Sequence, residues 1–235
     1  MEQNNFPVHI AIQMDGNRRW GKENRGNELE GHKEGAKTLR KIVDHCKDIG
    51  VKILTVYALS AENLKRPKEE LAVHFGLHKD YIKKEILDSD QFVKNEVRFR
   101  VLGRKELLPK DEQELIKKAE EKTKNFSKFM FNVCLAYNGQ DEIVDAVKEI
   151  IKKGIPKEKI SREVIKQNLY TKDIPAPEMM IKTGMNPEKR ISAFLLYDSA
   201  YTELFFTKTK WPGFTPEELD EMIKDYQGRE RRFGK

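Results

Sequence analysis

Short β-rich apolar runs alternate with stretches of helical period along almost the whole chain. The first run, His9-Ile-Ala-Ile-Gln-Met14, ends in the turn signal Asp15-Gly16-Asn17. Residues 31–49 follow, with Leu39, Ile42, Val43 and Cys46 on one helical face and Gly50 where a helix C-cap belongs. Residues 52–59 form a continuous apolar run suited to a strand buried on both faces. Pro67 opens a helix whose apolar side holds Leu71, Phe75, Leu77, Tyr81 and Ile82. Further strands are expected at 97–102, 129–136, 179–182 and 204–207, with helices at 110–126, 140–152, 161–169 and 215–232 and a packed segment at 191–197.

This rhythm predicts an α/β fold, a mostly parallel central sheet flanked by helices on both faces. No change of composition marks a boundary and no fixed-period repeat occurs, so residues 1–235 read as a single domain. Hydrophobic residues make up 38%, enough for a core in a chain that buries roughly 70% of its unfolded surface. Cys46 and Cys134 are too few for a disulfide framework or a multi-cysteine zinc site, which predicts a reducing, cytoplasmic setting. No apolar run reaches the ~18 residues of a membrane span, and residues 1–17 lack the basic-then-apolar order of a signal peptide. Lys+Arg 45 against Asp+Glu 39 leaves +6, a sign that attracts phosphate on nucleic acid, lipid or small substrates alike. With no reader motif and no aromatic–basic interleaving, no nucleic-acid partner is expected.

Ligands of parallel sheets sit beyond the carboxyl ends of the strands. Past the first strand, Met14-Asp15-Gly16-Asn17-Arg18-Arg19-Trp20 offers a carboxylate for a hard cation, and backbone N–H and guanidinium groups for diphosphate oxygens. The competing account is an Asx-type turn before a basic helix start. Past the second buried strand, Ser60, Asn63 and Arg66 supply a hydroxyl, an amide and a guanidinium, where the alternative is a loop with an N-cap. Lys182, Arg190 and Ser192 lie in a third basic loop, and Glu203 stands just ahead of the last strand. Three such loops at strand ends weigh more than any one of them.

Other features carry less. Residues 31–38 look like a Walker A loop, but the glycine spacing is one short and no strand precedes them. His74 and His78 have i, i+4 spacing without an HExxH pattern or an obvious third ligand, so packing or solvent-facing roles are favoured over metal. The charged 104–128 stretch reads as a solvated face. The Phe129/Phe131/Val133/Leu135 alternation reads as core, with the floor of an apolar pocket as the alternative.

Taken together the loops resemble the cis-prenyltransferases, the undecaprenyl diphosphate synthase family. The similarity runs nearly end to end through Met14-Asp-Gly-Asn17, Gly31-His32, residues 55–63 with Arg66-Pro67, Arg190-Ile-Ser192 with Phe194-Leu-Leu196, Ala200-Tyr-Thr-Glu203 and Trp211-Pro212. It implies a homodimeric α/β enzyme with an apolar substrate tunnel, which elongates an allylic diphosphate in the cis geometry with Mg²⁺. The mainly helical trans-type synthases carry DDxxD motifs, and none occurs here.

By that resemblance Asp15 assists diphosphate departure, and Asp15 and Glu203, the second important catalytic carboxylate, bind Mg²⁺. Gly16, Asn17, Arg19 and His32 surround the allylic diphosphate, with Arg18 and Trp20 in the same segment. Asn63 helps remove a proton from the condensing partner, beside Ser60 and the phosphate-side Arg66. Lys182, Arg190 and Ser192 match the site of the homoallylic diphosphate, isopentenyl diphosphate in ordinary members. The ending Arg232-Phe-Gly234 resembles a tail that completes the partner subunit's site. A lipid-like product implies peripheral membrane contact.

Departures from the family pattern fall on both diphosphate sites. Glu28 and Lys182 stand at usual arginine positions, Arg18 replaces a glycine, and Ala193, Leu64 and Tyr197 replace an asparagine and two tryptophans. The 184–190 stretch is two residues longer than usual. These changes open the acceptor to a second allylic diphosphate, joined head-to-middle, as well as isopentenyl diphosphate. A non-catalytic partner subunit is the competing reading, opposed by the retained polar residues. Phe75, Phe129 and Phe131 are the candidates for the tunnel floor.

Overall fold

The computed structural model describes residues 5–185, 187 and 189–229. Six strands form one sheet in the order β3-β4-β2-β1-β5-β6: β1 His9–Gln13, β2 Ile53–Ser60, β3 Val97–Leu102, β4 Phe129–Tyr137, β5 Met179–Lys182 and β6 Glu203–Phe206. Every pairing is parallel. The central strands read as near-continuous apolar runs because helices cover both faces, so neither side of the pleat meets water.

The long helices are α1 Asn17–Arg25, α2 Glu28–Asp48, α3 Lys68–Tyr81, α5 Lys110–Thr123, α6 Gly139–Lys152 and α8 Pro216–Gln227, with short helices α4 Gln91–Lys94 and α7 Arg162–Lys166. Asn27, Asn138, Ser161 and Thr215 cap their helices with side-chain oxygens, which fixes those starts locally. The larger core includes Ile10, Ile12, Ile42, Leu54, Val56, Phe131 and Leu219 on one face of the sheet. A smaller one on the other face joins Ala11, Tyr57, Met180 and Phe194. Cys46 and Cys134 are buried free thiols.

Several expected boundaries shift. The helix expected at 161–169 is the single turn-and-a-half of α7, and the 110–126 helix ends at Thr123. Helix α8 stops at Gln227, capped by Gly228. Beyond α3 the chain continues directly into a wider, π-type turn at Ile82–Leu87. Among the described residues no helix is long and apolar enough to cross a membrane.

Candidate active site

The carboxyl end of β1 runs straight into the first cluster. Asp15 follows the strand by two residues and is pinned through its backbone: its N–H donates to Thr183 Oγ1 (3.0 Å) and its carbonyl accepts from Trp211 N–H (2.9 Å). Its Oδ1 accepts from Gly16 N–H (2.6 Å) and Arg19 Nη2 (3.3 Å), while Oδ2 faces Lys182 Nζ at 3.9 Å. Gly16 has φ +97°, and a Cβ there would lie 2.8 Å from Lys210 Cβ, so only glycine makes this turn without strain. Helix α1 begins with no side-chain cap, leaving first-turn N–H groups available to an anion. Arg19 also donates to Gly184 O (2.7 Å), tying this turn to the end of β5.

Helix α2 packs across α1 at Gly31, whose Cβ would fall 1.9 Å from Asn17 O. The glycine of the Walker-like stretch is therefore a helix crossing point, not a phosphate loop. The crossing brings Glu28 and His32 to the same side as α1. Arg18 clamps Glu28 through Nε (2.7 Å) and Nη2 (2.5 Å), and both residues line the central cavity.

The end of β2 supplies the opposite wall. Ser60 Oγ accepts from Asn63 N–H (3.2 Å), holding a short turn at Glu62–Lys65 that presents Asn63 and Arg66 to the cavity. Arg66 donates to Glu70 (2.8 Å) one helical turn into α3. Glu70 is nearly buried and is the hub of this wall, with His32 Nε2 at 3.8 Å, His74 Nε2 at 4.0 Å and Arg18 Nη1 at 3.9 Å. Burial pushes the imidazoles down, His32 to about 4 and His74 to about 3, so both are neutral near pH 7. His74 and His78, spaced i, i+4, do not share one ligand set: His74 lies with Glu70 and His32, while His78 pairs with buried Glu112 (3.0 Å).

At the end of β5, Lys182 is buried and donates to Arg190 O (3.0 Å) and Ser192 Oγ (3.1 Å). It tethers the third loop. Burial lowers its pKa, Asp15 raises it, and the nearby Arg190 and Arg19 lower it. Ser192, Ala193 and Leu195 all take positive φ (48°, 57° and 45°), a strained path held by Gly139 N–H donating to Ala193 O (2.9 Å). That path brings Ser192 to the cavity wall.

The cavity holds about 1110 Å³, above the usual ~300–1,000 Å³ of small-ligand pockets. Its mouth is polar (Asp15, Arg18, Arg19, Glu28, Ser60, Asn63, Arg66), and its inner wall is apolar, with Leu39, Leu77, Ile82 and Val133. Tyr81, Phe131 and Phe99 close it, with ring centroids 6.0 and 6.1 Å apart. The cavity has the apolar interior of the expected tunnel.

Some expected residues lie elsewhere. Trp20 does not line the cavity; Arg25 stacks over its ring at 5.7 Å, because its helical position turns it from the β1 end. Phe75 packs against the core and Phe129 is fully buried, so of the three floor candidates Phe131 alone reaches the cavity. Arg190 is exposed, with its carbonyl rather than its guanidinium recorded at Lys182. Within one chain Glu203 is not brought to Asp15. It pairs in register with Met179, itself level with Ile10, so it lies five residues behind Asp15 along parallel strands rising ~3.3 Å per residue. Arg229 neutralises it at 2.7 Å. The Arg232-Phe-Gly234 tail lies outside the described residues.

The donor set at Asp15 suits a hard cation: Oδ2 takes no hydrogen bond among the described residues, and one carboxylate plus substrate oxygens is the usual Mg²⁺ environment. A mouth with one such carboxylate and several guanidinium groups, above a deep apolar cavity, suits a ligand that is anionic at one end and apolar along its length.

Comparison with known proteins gives the family. The model described as "Putative undecaprenyl diphosphate synthase" matches residues 13–234. The chain is 47% identical over 232 residues to an isoprenyl transferase of Fusobacterium nucleatum, covering 99% of this chain and 97% of the relative. It is 43% identical over 239 residues to the tritrans,polycis-undecaprenyl-diphosphate synthase (geranylgeranyl-diphosphate specific) of Methanocaldococcus jannaschii, covering 100% and 85%. The lavandulyl diphosphate synthase of Lavandula x intermedia, solved with dimethylallyl diphosphate, superposes with TM-score 0.91 at 29% identity over 98% of this chain and 99% of that one. The chain belongs to the undecaprenyl diphosphate synthase family of prenyltransferases.

Proposed function

We propose that this chain is a Mg²⁺-dependent cis-prenyltransferase that binds an allylic diphosphate with its head at the α1 N-terminus and its hydrocarbon in the cavity. The observation that carries this reading is the continuous passage from the Asp15–Arg19 turn to the Tyr81–Phe131–Phe99 floor. The acceptor is isopentenyl diphosphate or a second allylic diphosphate, received near Lys182, Arg190 and Ser192.

Breaking an allylic C–O bond places positive charge on carbon and negative charge on the departing diphosphate. Mg²⁺ held by Asp15 would neutralise part of that negative charge. Arg19, the α1 N–H groups and Arg66 bind the oxygens that gain charge. Asn63 orients the acceptor carbon, whose proton, lost after the new C–C bond forms, passes to an oxygen of the departed diphosphate. The apolar wall keeps water from the cation-like carbon, where hydrolysis would compete.

A homodimer in the cytoplasm, releasing a lipid product to a membrane surface, completes the reading. In it Glu203 serves the subunit interface, because its own chain keeps it away from Asp15. The test is incubation with dimethylallyl, geranyl, farnesyl or geranylgeranyl diphosphate, with and without isopentenyl diphosphate. Mass spectrometry should find a Mg²⁺-dependent prenylated diphosphate, and no product from any combination overturns the reading in favour of a non-catalytic subunit.

A further inference from the structure

We propose that His32, Glu70 and His74 form a binding site for one divalent transition metal of the Zn²⁺ class, separate from the oxygen-ligand cation at Asp15. The three donor atoms lie within 4.8 Å of one another, and the side chains are each no more than 9% exposed. Glu70 and His74 sit one turn apart on α3, so they share a face, and His32 reaches across from α2. The two rings are 4.2 Å apart at 59°, too tilted to stack flat.

Both Nε2 atoms are buried and make no hydrogen bond. Buried polar atoms without partners are uncommon enough to need a reason, and two aimed at one carboxylate point to a shared ligand. Two imidazoles and a carboxylate match the three-ligand set of open zinc sites, and imidazole selects against Mg²⁺ and Ca²⁺. Donors around a tetrahedral zinc at ~2.0–2.1 Å are about 3.3 Å apart. The observed 3.8 and 4.0 Å require closure of about 0.5–0.7 Å, and the third pair of donors, within 4.8 Å, up to about 1.5 Å. Arg66 donates to the same Glu70 oxygen and would orient the carboxylate from behind. His32 and His74 both border the cavity, which leaves the fourth position for water or a diphosphate oxygen. A metal there would fasten α2 to α3 at the mouth.

The experiment uses the untagged full chain, stripped with chelator and dialysed. Titration with Zn²⁺ should show one site per chain, and Co²⁺ should give the intense visible spectrum of four-coordinate nitrogen and oxygen ligation. His74→Leu and Glu70→Gln should each weaken binding about 100-fold or more, since even outer partners of metal ligands cost 10–100-fold. Asp15→Ala should bind Zn²⁺ as tightly as the parent. Zn²⁺ should raise the melting temperature of the parent and not of His74→Leu. A chain that retains no Zn²⁺, or gives only the pale six-coordinate Co²⁺ spectrum, overturns the proposal without any variant. Undiminished binding by folded His74→Leu, or loss of binding in His78→Ala alone, overturns the assignment.

Discussion

Arg18 holds Glu28 in a two-pronged ion pair, Nε at 2.7 Å and Nη2 at 2.5 Å, at the edge of the cavity. Under the proposed function, the carboxylate at Glu28 therefore would not meet a diphosphate bare. The guanidinium that replaces a usual glycine is spent on cancelling it. Both side chains are near half exposed (49% and 40%), so the pair adds little to stability, and its effect should appear in substrate affinity.

Arg18→Ala removes the partner of Glu28 at the cavity edge, where the proposed function places the donor diphosphate. The KM for the allylic diphosphate should rise about 5–10-fold, the size of ~1 kcal/mol between partly solvated charges. Glu28→Gln frees Arg18 and should lower KM by a similar factor, and the double variant should return near the parent. Steady-state kinetics across the four proteins checks the cycle; unchanged KM in both single variants would remove the pair from the site.

Phe131 and Phe129 provide a paired test of the cavity floor. Phe131→Leu opens space at the closed end, and the product distribution by mass spectrometry should move to longer chains. Phe129 is fully buried outside the cavity, so Phe129→Ala should cost about 3–5 kcal/mol of stability and leave the product length of the folded fraction unchanged. The same distribution from Phe131→Leu as from the parent would place the floor elsewhere.

His9 links the fold to pH. Its ring lies between Pro175 O and Thr55 Oγ1, at 2.8 Å each, and burial pushes its pKa down to about 4. The unfolded chain, with a pKa near 6.5, binds the proton more readily, so stability is full above pH 6.5 and is lost as pH falls towards 4. Between pH 7 and 5 the unfolding free energy should drop by about 2 kcal/mol from this residue alone. Urea titrations of parent and His9→Gln check it: the variant should lose that slope, whatever its stability at pH 7.

The strands were legible because each is a short run of β-branched and aromatic residues with both faces covered, as in residues 53–59. Asp15, Asn63 and Arg66 were legible for the same reason, since locating β1 and β2 locates their ends. Helix α1 was hidden beyond its first arginines, because Asn17–Arg25 is almost wholly polar and shows no apolar stripe. Trp20 and Glu203 show what motif order leaves open within one chain. A position within a matched segment does not say which way a helix turns it, and a residue that begins a parallel strand sits opposite those that follow one. Glu70 was missed although Arg66 and Glu70 are spaced i, i+4 at a helix start. Its meeting with His32 depends on the packing of α2 against α3, an event between separate elements.

The chemistry assigned to the β1 end is tested most directly at Asp15. Turnover of the best donor–acceptor pair should be compared between the parent and Asp15→Ala, with donor binding measured separately by calorimetry. Asp15→Ala should lose at least ~100-fold in kcat, in line with removal of one group that stabilises developing charge, while staying folded and still binding the donor. Full turnover by Asp15→Ala would contradict that assignment.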